Sequence, residues 1–249
     1  MPSNVGMTKA LFLALSFFIT GVSFAQGAFC QDIEAAFAVG DRETLVSLDV
    51  SAAPEYWQAF RTYRLAALDI QRDNRKAARS HLKTGLRIIK KLHKKHPDDI
   101  EVVVLSGMLH GQRAIVGRGF GWISGWKSYR LLKRAQSIAP DNPRLLLATG
   151  VGQLLAPGLL RSKPETAKNT LTKALSNVGE TPCRDQTWGE VDLAIWLGRA
   201  YLALENPIEA NKSFARAEAL SPGNVWVAAA AKGEGYVWVN DEVKPIGTL

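Results

Sequence analysis

Near the C-terminal end of the chain, small and large apolar residues recur at the spacings expected for a pair of packed helices. Leu197 and Tyr201 lie four residues apart and therefore share one helical face. Asn206-Pro207 then supplies a helix cap and a first helical residue, so a second helix follows. Small residues let the two helices approach closely, and large ones fill the gaps between them. The full pattern is Leu197, Gly198, Tyr201, Ala210, Phe214, Ala217 and Pro222.

Weaker copies of this helix pair precede it. Amphipathic pairs are expected over residues 57–92, 99–140 and 143–175, the last with an insert at 156–163 between its helices. Each such pair buries its apolar faces only against its neighbours, and four consecutive pairs are enough for a stable array. The sequence therefore predicts an all-α fold in which antiparallel helix pairs stack into an α-solenoid.

The spacing resembles the tetratricopeptide repeat (TPR), with Ala194 in place of the Trp that opens the repeat. The resemblance implies a TPR-like superhelix. The middle of the chain also resembles a group of exported TPR-like proteins of Gram-negative bacteria whose function is undefined. Leu159–Ser162 replaces the aromatic residue and glycines that this group has in its insert. The residues that carry the likeness are Ser137–Arg144, Pro157, Ala167–Leu175 and Thr187–Gly189.

The first 25 residues have the pattern of a secretory signal peptide. Lys9 precedes an apolar run over 10–22, and Ser23-Phe24-Ala25 is a small-x-small cleavage pattern. The run is shorter than the ~20 apolar residues that span a bilayer. We therefore expect cleavage after Ala25 and a periplasmic protein. The expected divisions are 1–25 (signal peptide), 26–53 (N-terminal capping helices), 54–232 (repeat domain) and 233–249 (irregular or extended tail).

Cys30 and Cys183 would both enter an oxidising compartment after export. An even number of cysteines there favours a disulfide. In the chain-entropy treatment, the loop that this bond closes would stabilise the folded protein by ~4–5 kcal/mol. The two cysteines would not meet if they lay at opposite ends of an elongated array. The sequence leaves both possibilities open.

Cationic residues recur at spacings of three and four along the helix expected after Asn74, so they form one stripe. The stripe suits an acidic partner or an anionic membrane surface, and equally a solvated outer face. Nucleic acid is not expected, because the stripe has no interleaved aromatic residues. Its residues are Arg72, Lys76, Arg79, Lys83, Arg87, Lys90 and Lys94.

The segment 117–126 combines four glycines with Phe120, Trp122 and Trp126. Glycine gives backbone freedom, and rigid aromatic side chains are frequent in binding hot spots. The segment is therefore interpreted as a partner-binding loop. The alternative is that its aromatic residues fold inward and fill the groove beside the insert.

Motifs of catalysis are missing from the sequence. It has no Gly-x-Ser-x-Gly, His-Glu-x-x-His or zinc-type cysteine pair. His93 and His96 lie near Asp98 and Asp99, but the surrounding lysines would repel a metal ion. We expect no enzyme activity, no metal and no cofactor.

These patterns predict a periplasmic adaptor that holds a protein or peptide on its concave face, its aromatic segment and its basic stripe. One alternative is a ligand-binding accessory component of a transport system, and another is an envelope protein held by its basic face. A closed apolar cavity near Trp122 and Leu154 would favour the ligand carrier, whereas an open polar groove would favour the adaptor.

Overall fold

The structure, a computed structural model, describes residues 29–117, 119, 121–155, 163–178, 188–234, 236–239 and 242–245. These residues form eleven helices and one two-stranded hairpin. Helix α1 covers residues 29–38. The other elements are α2 (Arg42–Ser47), α3 (Glu55–Gln71), α4 (Arg75–Lys95), α5 (Ile100–Val116), α6 (Gly121–Ile138), α7 (Pro143–Leu155), α8 (Pro164–Ser176), α9 (Glu190–Ala203), α10 (Pro207–Leu220), α11 (Val225–Ala231), β1 (Tyr236–Val239) and β2 (Glu242–Pro245).

Polar residues cap the predicted helices where the sequence places them. The Asn74 side chain accepts a hydrogen bond from the backbone N–H of Ala77 at 3.2 Å and so caps α4. Asn206 does the same for α10, where Pro207 is the first helical residue. Each cap satisfies a backbone donor that the helix itself leaves without a partner.

Helices α3 to α10 pack as four consecutive pairs, α3 with α4, α5 with α6, α7 with α8, and α9 with α10. The first helices of the pairs also contact one another in succession, from α3 to α5, α7 and α9. They form an inner row that is buried on most sides, while the second helices form an outer row with far fewer buried residues. The all-α prediction is confirmed.

Gly198 shows why the repeat needs a small residue. A Cβ atom at this position would overlap the ring of Phe214 on the facing helix α10. Ala194, Ala210 and Ala217 are fully buried in the same apolar cluster. The predicted signature residues other than Pro222 therefore meet between α9 and α10, with Leu197 on the main core and Tyr201 between the two clusters. Pro222 is exposed in the turn after α10.

Replacing Gly198 by Ala tests this close approach. Alanine favours a helix interior by up to about 1 kcal/mol, but overpacking costs about 1–3 kcal/mol, so we expect a net loss of stability. Gly152 in α7 is a matched control, because a Cβ there would meet nothing within 4 Å and Gly152→Ala is expected to stabilise the fold. Urea denaturation of both variants measures the difference. Equal stability of the two variants would contradict the close packing of α9 on α10.

Helix α1 does not sit simply at the end of the array, as a terminal cap would. Its Glu34 contacts Arg64 of α3, and its Phe37 stacks on Trp226 of α11 with ring centroids 4.6 Å apart. Cys30, Ile33 and Phe37 are buried in the main core with residues of the inner row. Helix α1 therefore lies across the inner row and contacts both the first pair and the C-terminal end.

The tail forms a short antiparallel hairpin in which Tyr236 pairs with Pro245 and Val239 with Glu242. Strand β1 lies against α7. The sequence predicts an irregular or extended tail here, and the described part of it is extended. Among the described residues, no helix is both long and apolar enough to cross a membrane.

Candidate interaction surfaces

The inner face between the first and last helix pairs is filled by a buried ionic cluster. Arg64 Nε lies 2.6 Å from Glu34 Oε1, and its Nη2 lies 2.6 Å from Asp192 Oδ2 on α9. The Arg64 side chain is only 3% exposed, and its guanidinium also lies 4.2 Å from the centroid of the Phe37 ring. One arginine thus joins α1, α3 and α9.

Electrostatics keep the arginine of this cluster charged. Burial works against the charge of Arg64, but Asp192 and Glu34 more than compensate and raise its pKa above the ordinary value. Burial is also the main influence on Glu34 and raises its pKa, although Arg64 opposes that shift. The cluster is a structural link, in which Arg64 is buried and both carboxylates are taken up by it.

Aromatic rings complete the filling of the inner face. Phe60 is fully buried and lies 4.7 Å from the ring of Trp188, which precedes α9. The indole N–H of Trp226 donates a hydrogen bond to the Phe37 carbonyl at 2.9 Å. The concave face, which the sequence pattern assigns to a partner, is therefore occupied by α1 and these side chains.

A second buried network, for which the sequence gives no prediction, joins the other pairs. Glu101 of α5 lies 3.0 Å from Arg144 Nη1 of α7 and accepts a hydrogen bond from Asn142. The Arg144 guanidinium lies 4.8 Å from the Trp188 ring, and Arg144 Nε donates to the Trp188 carbonyl. Asn142, Arg144 and Trp188 lie in segments that carry the family likeness, but their spacing does not predict that they meet, because three separate segments come together only through packing.

The exposed aromatic residues lie on a helix and not in a loop. Helix α6 begins at Gly121, so the predicted loop is wrong for Trp122 and Trp126, which occupy its first turns. The glycines serve close packing: a Cβ on Gly121 would overlap the Ala114 carbonyl of α5, and Gly125 also faces Ala114. Phe120, also predicted to bind a partner, lies outside the described residues.

Trp122, Trp126 and Tyr129 form what we call the aromatic stripe. They lie at i, i+4 and i+7, so they share one helical face, which flanks the side of α6 that packs on α5. Their side chains are 70%, 50% and 41% exposed, so the alternative of inward packing is wrong for both tryptophans. Tyr129 is absent from the predicted binding residues, although its spacing from Trp122 and Trp126 could have identified it.

The predicted cationic residues of α4 lie on the outer row. Arg79 is half-buried and donates to the Val116 carbonyl at the end of α5, so it helps to hold the helices together. Arg75 pairs with Asp73, and Lys95 pairs with Glu55. The remaining cations of α4 are exposed and, among the residues that the structure describes, form no ion pair; we call Lys76, Lys83, Arg87, Lys90, Lys91 and Lys94 the basic surface.

His110 of α5 is held neutral mainly by burial. Burial lowers its pKa to about 4, together with the nearby charges of Lys127 and Arg113. The imidazole is therefore neutral at physiological pH. Within the described ranges, no group of His, Cys, Asp and Glu side chains could hold a metal ion.

A small surface pocket lies between α3 and α4. It holds about 220 Å³ and is lined by Glu55, Gln58, Arg87, Ile88 and Lys91. The lining is polar and includes neither Trp122 nor Leu154, and Leu154 is itself buried in the core. This pocket is not the closed apolar cavity that a ligand carrier would need.

Some predictions fall on residues that the structure does not describe. Cys30 is fully buried in the core, but Cys183 lies outside the described ranges, and the disulfide stays a prediction. The signal peptide and its cleavage after Ala25 lie outside them as well.

Comparisons with known proteins identify the fold. No family model and no curated protein matches the sequence. Among solved structures, the chain is similar to the crystal structure of a thermophilic TPR protein from Thermus thermophilus, with a TM-score of 0.50 and 18% sequence identity over 82% of this chain and 98% of that one. At this identity the likeness shows the fold alone. The chain is a TPR-like α-solenoid.

Proposed function

We propose that this chain is a non-catalytic scaffold, exported to the periplasm, that binds a protein partner through the aromatic stripe of α6. The single observation that carries the proposal is the outward exposure of Trp122, Trp126 and Tyr129 on one helical face. Tryptophan and tyrosine are enriched in binding hot spots, and grouped exposed apolar side chains mark interaction sites.

Helix α6 does not use the aromatic stripe to pack against the rest of the protein. A different face of the helix holds it to α5, where Ser128 Oγ donates to the Gly107 carbonyl at 2.7 Å and Ala135 is fully buried. Trp126 and Tyr129 stack on each other with ring centroids 5.5 Å apart. A pair of rings held in this way loses little conformational freedom when a partner binds.

Because the inner face is already filled, we place the partner on the outer row. A peptide cannot enter between α3 and α9 without displacing α1 and the Arg64 cluster. The outer face of α6 requires no such rearrangement. The small polar pocket beside Arg87 gives no comparable support to the ligand-carrier alternative.

Affinity capture from extracts of the native host tests the proposal. We expect wild-type protein to retain a partner that the double variant Trp122→Ala, Trp126→Ala loses, because each hot-spot residue contributes ~2 kcal/mol or more. A matched control is the double variant Ile208→Ala, Leu220→Ala, which removes exposed apolar side chains from α10. A partner list that is the same for all three proteins would contradict the proposed binding surface.

Export rests on the signal-peptide pattern and needs its own measurement. Cell fractionation followed by mass spectrometry of the mature N-terminus is expected to find the protein in the periplasm, beginning at Gln26. An intact N-terminus on cytoplasmic protein would contradict export and leave the binding surface untouched.

A further inference from the structure

We propose that the basic surface of α4 binds the anionic lipid headgroups of a membrane, a second interaction that goes beyond the proposed partner binding. The two surfaces lie on neighbouring outer helices, because α4 and α6 both pack on α5. The scaffold would thus hold a protein partner at a membrane surface.

Charge on the outer row is strongly segregated. Helix α4 carries nine Lys or Arg residues and no Asp or Glu, and α6 carries four such cations and no acidic residue. The outer helices α8 and α10 mix both signs and form ion pairs such as Lys168 with Glu165 and Lys212 with Glu209. The positive potential is therefore concentrated on the first two pairs.

The composition of the basic surface favours lipid headgroups over a protein. Among the described residues, none of the exposed large hydrophobic side chains lies on α4. Stable protein interfaces need an apolar centre and are depleted of lysine, whereas five of the six residues of the basic surface are lysines. A polybasic segment needs only charge to bind an anionic membrane surface.

The geometry also suits a flat and extended partner. Helix α4 has 21 residues and is about 30 Å long, and its exposed cations recur on nearly every turn from Lys76 to Lys94. The nearby carboxylates pair with cations outside the basic surface, Asp73 with Arg75, Glu55 with Lys95, and Asp98 with Arg134, and Glu55 also lines the pocket beside Arg87 and Lys91. A planar anionic surface can therefore meet most of the row at once.

Vesicle sedimentation tests the proposal with the mature full-length protein. One set of vesicles contains phosphatidylglycerol and phosphatidylcholine in equal parts, and the other contains phosphatidylcholine alone. The test variant reverses three charges, Lys83→Glu, Arg87→Glu and Lys90→Glu. The control variant makes the same change in net charge on α8 and α10, Lys173→Glu, Lys212→Glu and Arg216→Glu, at exposed positions.

We expect wild-type and control proteins to bind the anionic vesicles and not the neutral ones. Each cation near an anionic surface contributes roughly fivefold to affinity, so the test variant should bind at least about 100-fold more weakly. High salt should weaken wild-type binding, since the screening length falls to about 3 Å at 1 M. Circular dichroism of both variants checks that they remain folded.

Three outcomes would overturn the proposal: no binding to anionic vesicles, equal binding to neutral ones, or equal loss in the test and control variants. The variant Trp122→Ala, Trp126→Ala is expected to keep its vesicle binding. Loss of vesicle binding in that variant would place the membrane contact on α6 and overturn the assignment to α4. Failure of partner capture alone would contradict the proposed function and leave the lipid site standing.

Discussion

Replacing Arg64 by Met is expected to lower the free energy of unfolding by about 3 kcal/mol or more. The substitution leaves the carboxylates of Glu34 and Asp192 beside each other without the cation that holds both. Removing one partner of a buried ion pair costs about 3–5 kcal/mol, and the partial exposure of these two carboxylates puts the expected loss at the lower end. Denaturant unfolding with a common slope for wild type and variant measures the difference.

A rescue variant makes the test specific. Combining Arg64→Met with Glu34→Gln and Asp192→Asn removes the charges that the single substitution leaves uncompensated, and we expect it to recover more than half of the lost stability. If the single variant loses less than about 1 kcal/mol, Arg64 does not join the first and last pairs as the geometry indicates.

Truncating Phe60 to Ala is expected to destabilise the protein by about 3–5 kcal/mol. The ring is fully buried and meets the rings of Trp57 and Trp188, so its loss leaves a cavity between α3 and the segment before α9. Calorimetry and denaturant unfolding should report the same loss if the protein remains two-state.

Ile208→Ala is the control for this prediction. Ile208 is 69% exposed on α10, and a substitution at such a position usually changes stability by less than about 0.5 kcal/mol. If Phe60→Ala loses no more stability than Ile208→Ala, the Phe60 ring does not hold α3 against the segment before α9.

The helix pairs could be predicted because their signals are local. Gly198, Ala210 and Phe214 are brought together by two adjacent helices and one short turn, so spacing alone predicts that they meet. The Arg64 cluster has no such signal, because Arg64 and Asp192 are 128 positions apart. These two residues come within hydrogen-bonding distance only because packing of the array brings α3 and α9 together.

One sequence signal for the filled inner face was nevertheless present. Helices α5 and α7 are apolar nearly all round, with runs such as Val102–Leu105 and Leu145–Ala148. A helix of this kind is buried on all sides, which indicates that something covers the concave face. The sequence pattern of the segment that forms α1 predicts only a terminal cap, and it does not indicate that this segment covers the inner row.

The prediction for the aromatic segment, a loop, is wrong for a different reason. The sequence pattern assigns its glycines to a loop, whereas Gly121 begins α6 and allows it to lie close to α5. The exposure of Trp122 and Trp126 could not be predicted, because it depends on which side of α6 meets its neighbour. Once the residues are known to be helical, the four- and three-residue spacing places Tyr129 with them.

Contact of α1 with both ends of the array also fixes how many units this protein can have. A repeat array in which each unit touches only its neighbours can gain or lose a terminal unit at modest cost and can open from either end. Here an inserted fifth pair would carry Asp192 away from Arg64 and Trp226 away from Phe37. The contacts of α1 therefore tie the two ends of the array together at four pairs, and we expect a change in the number of pairs to break them.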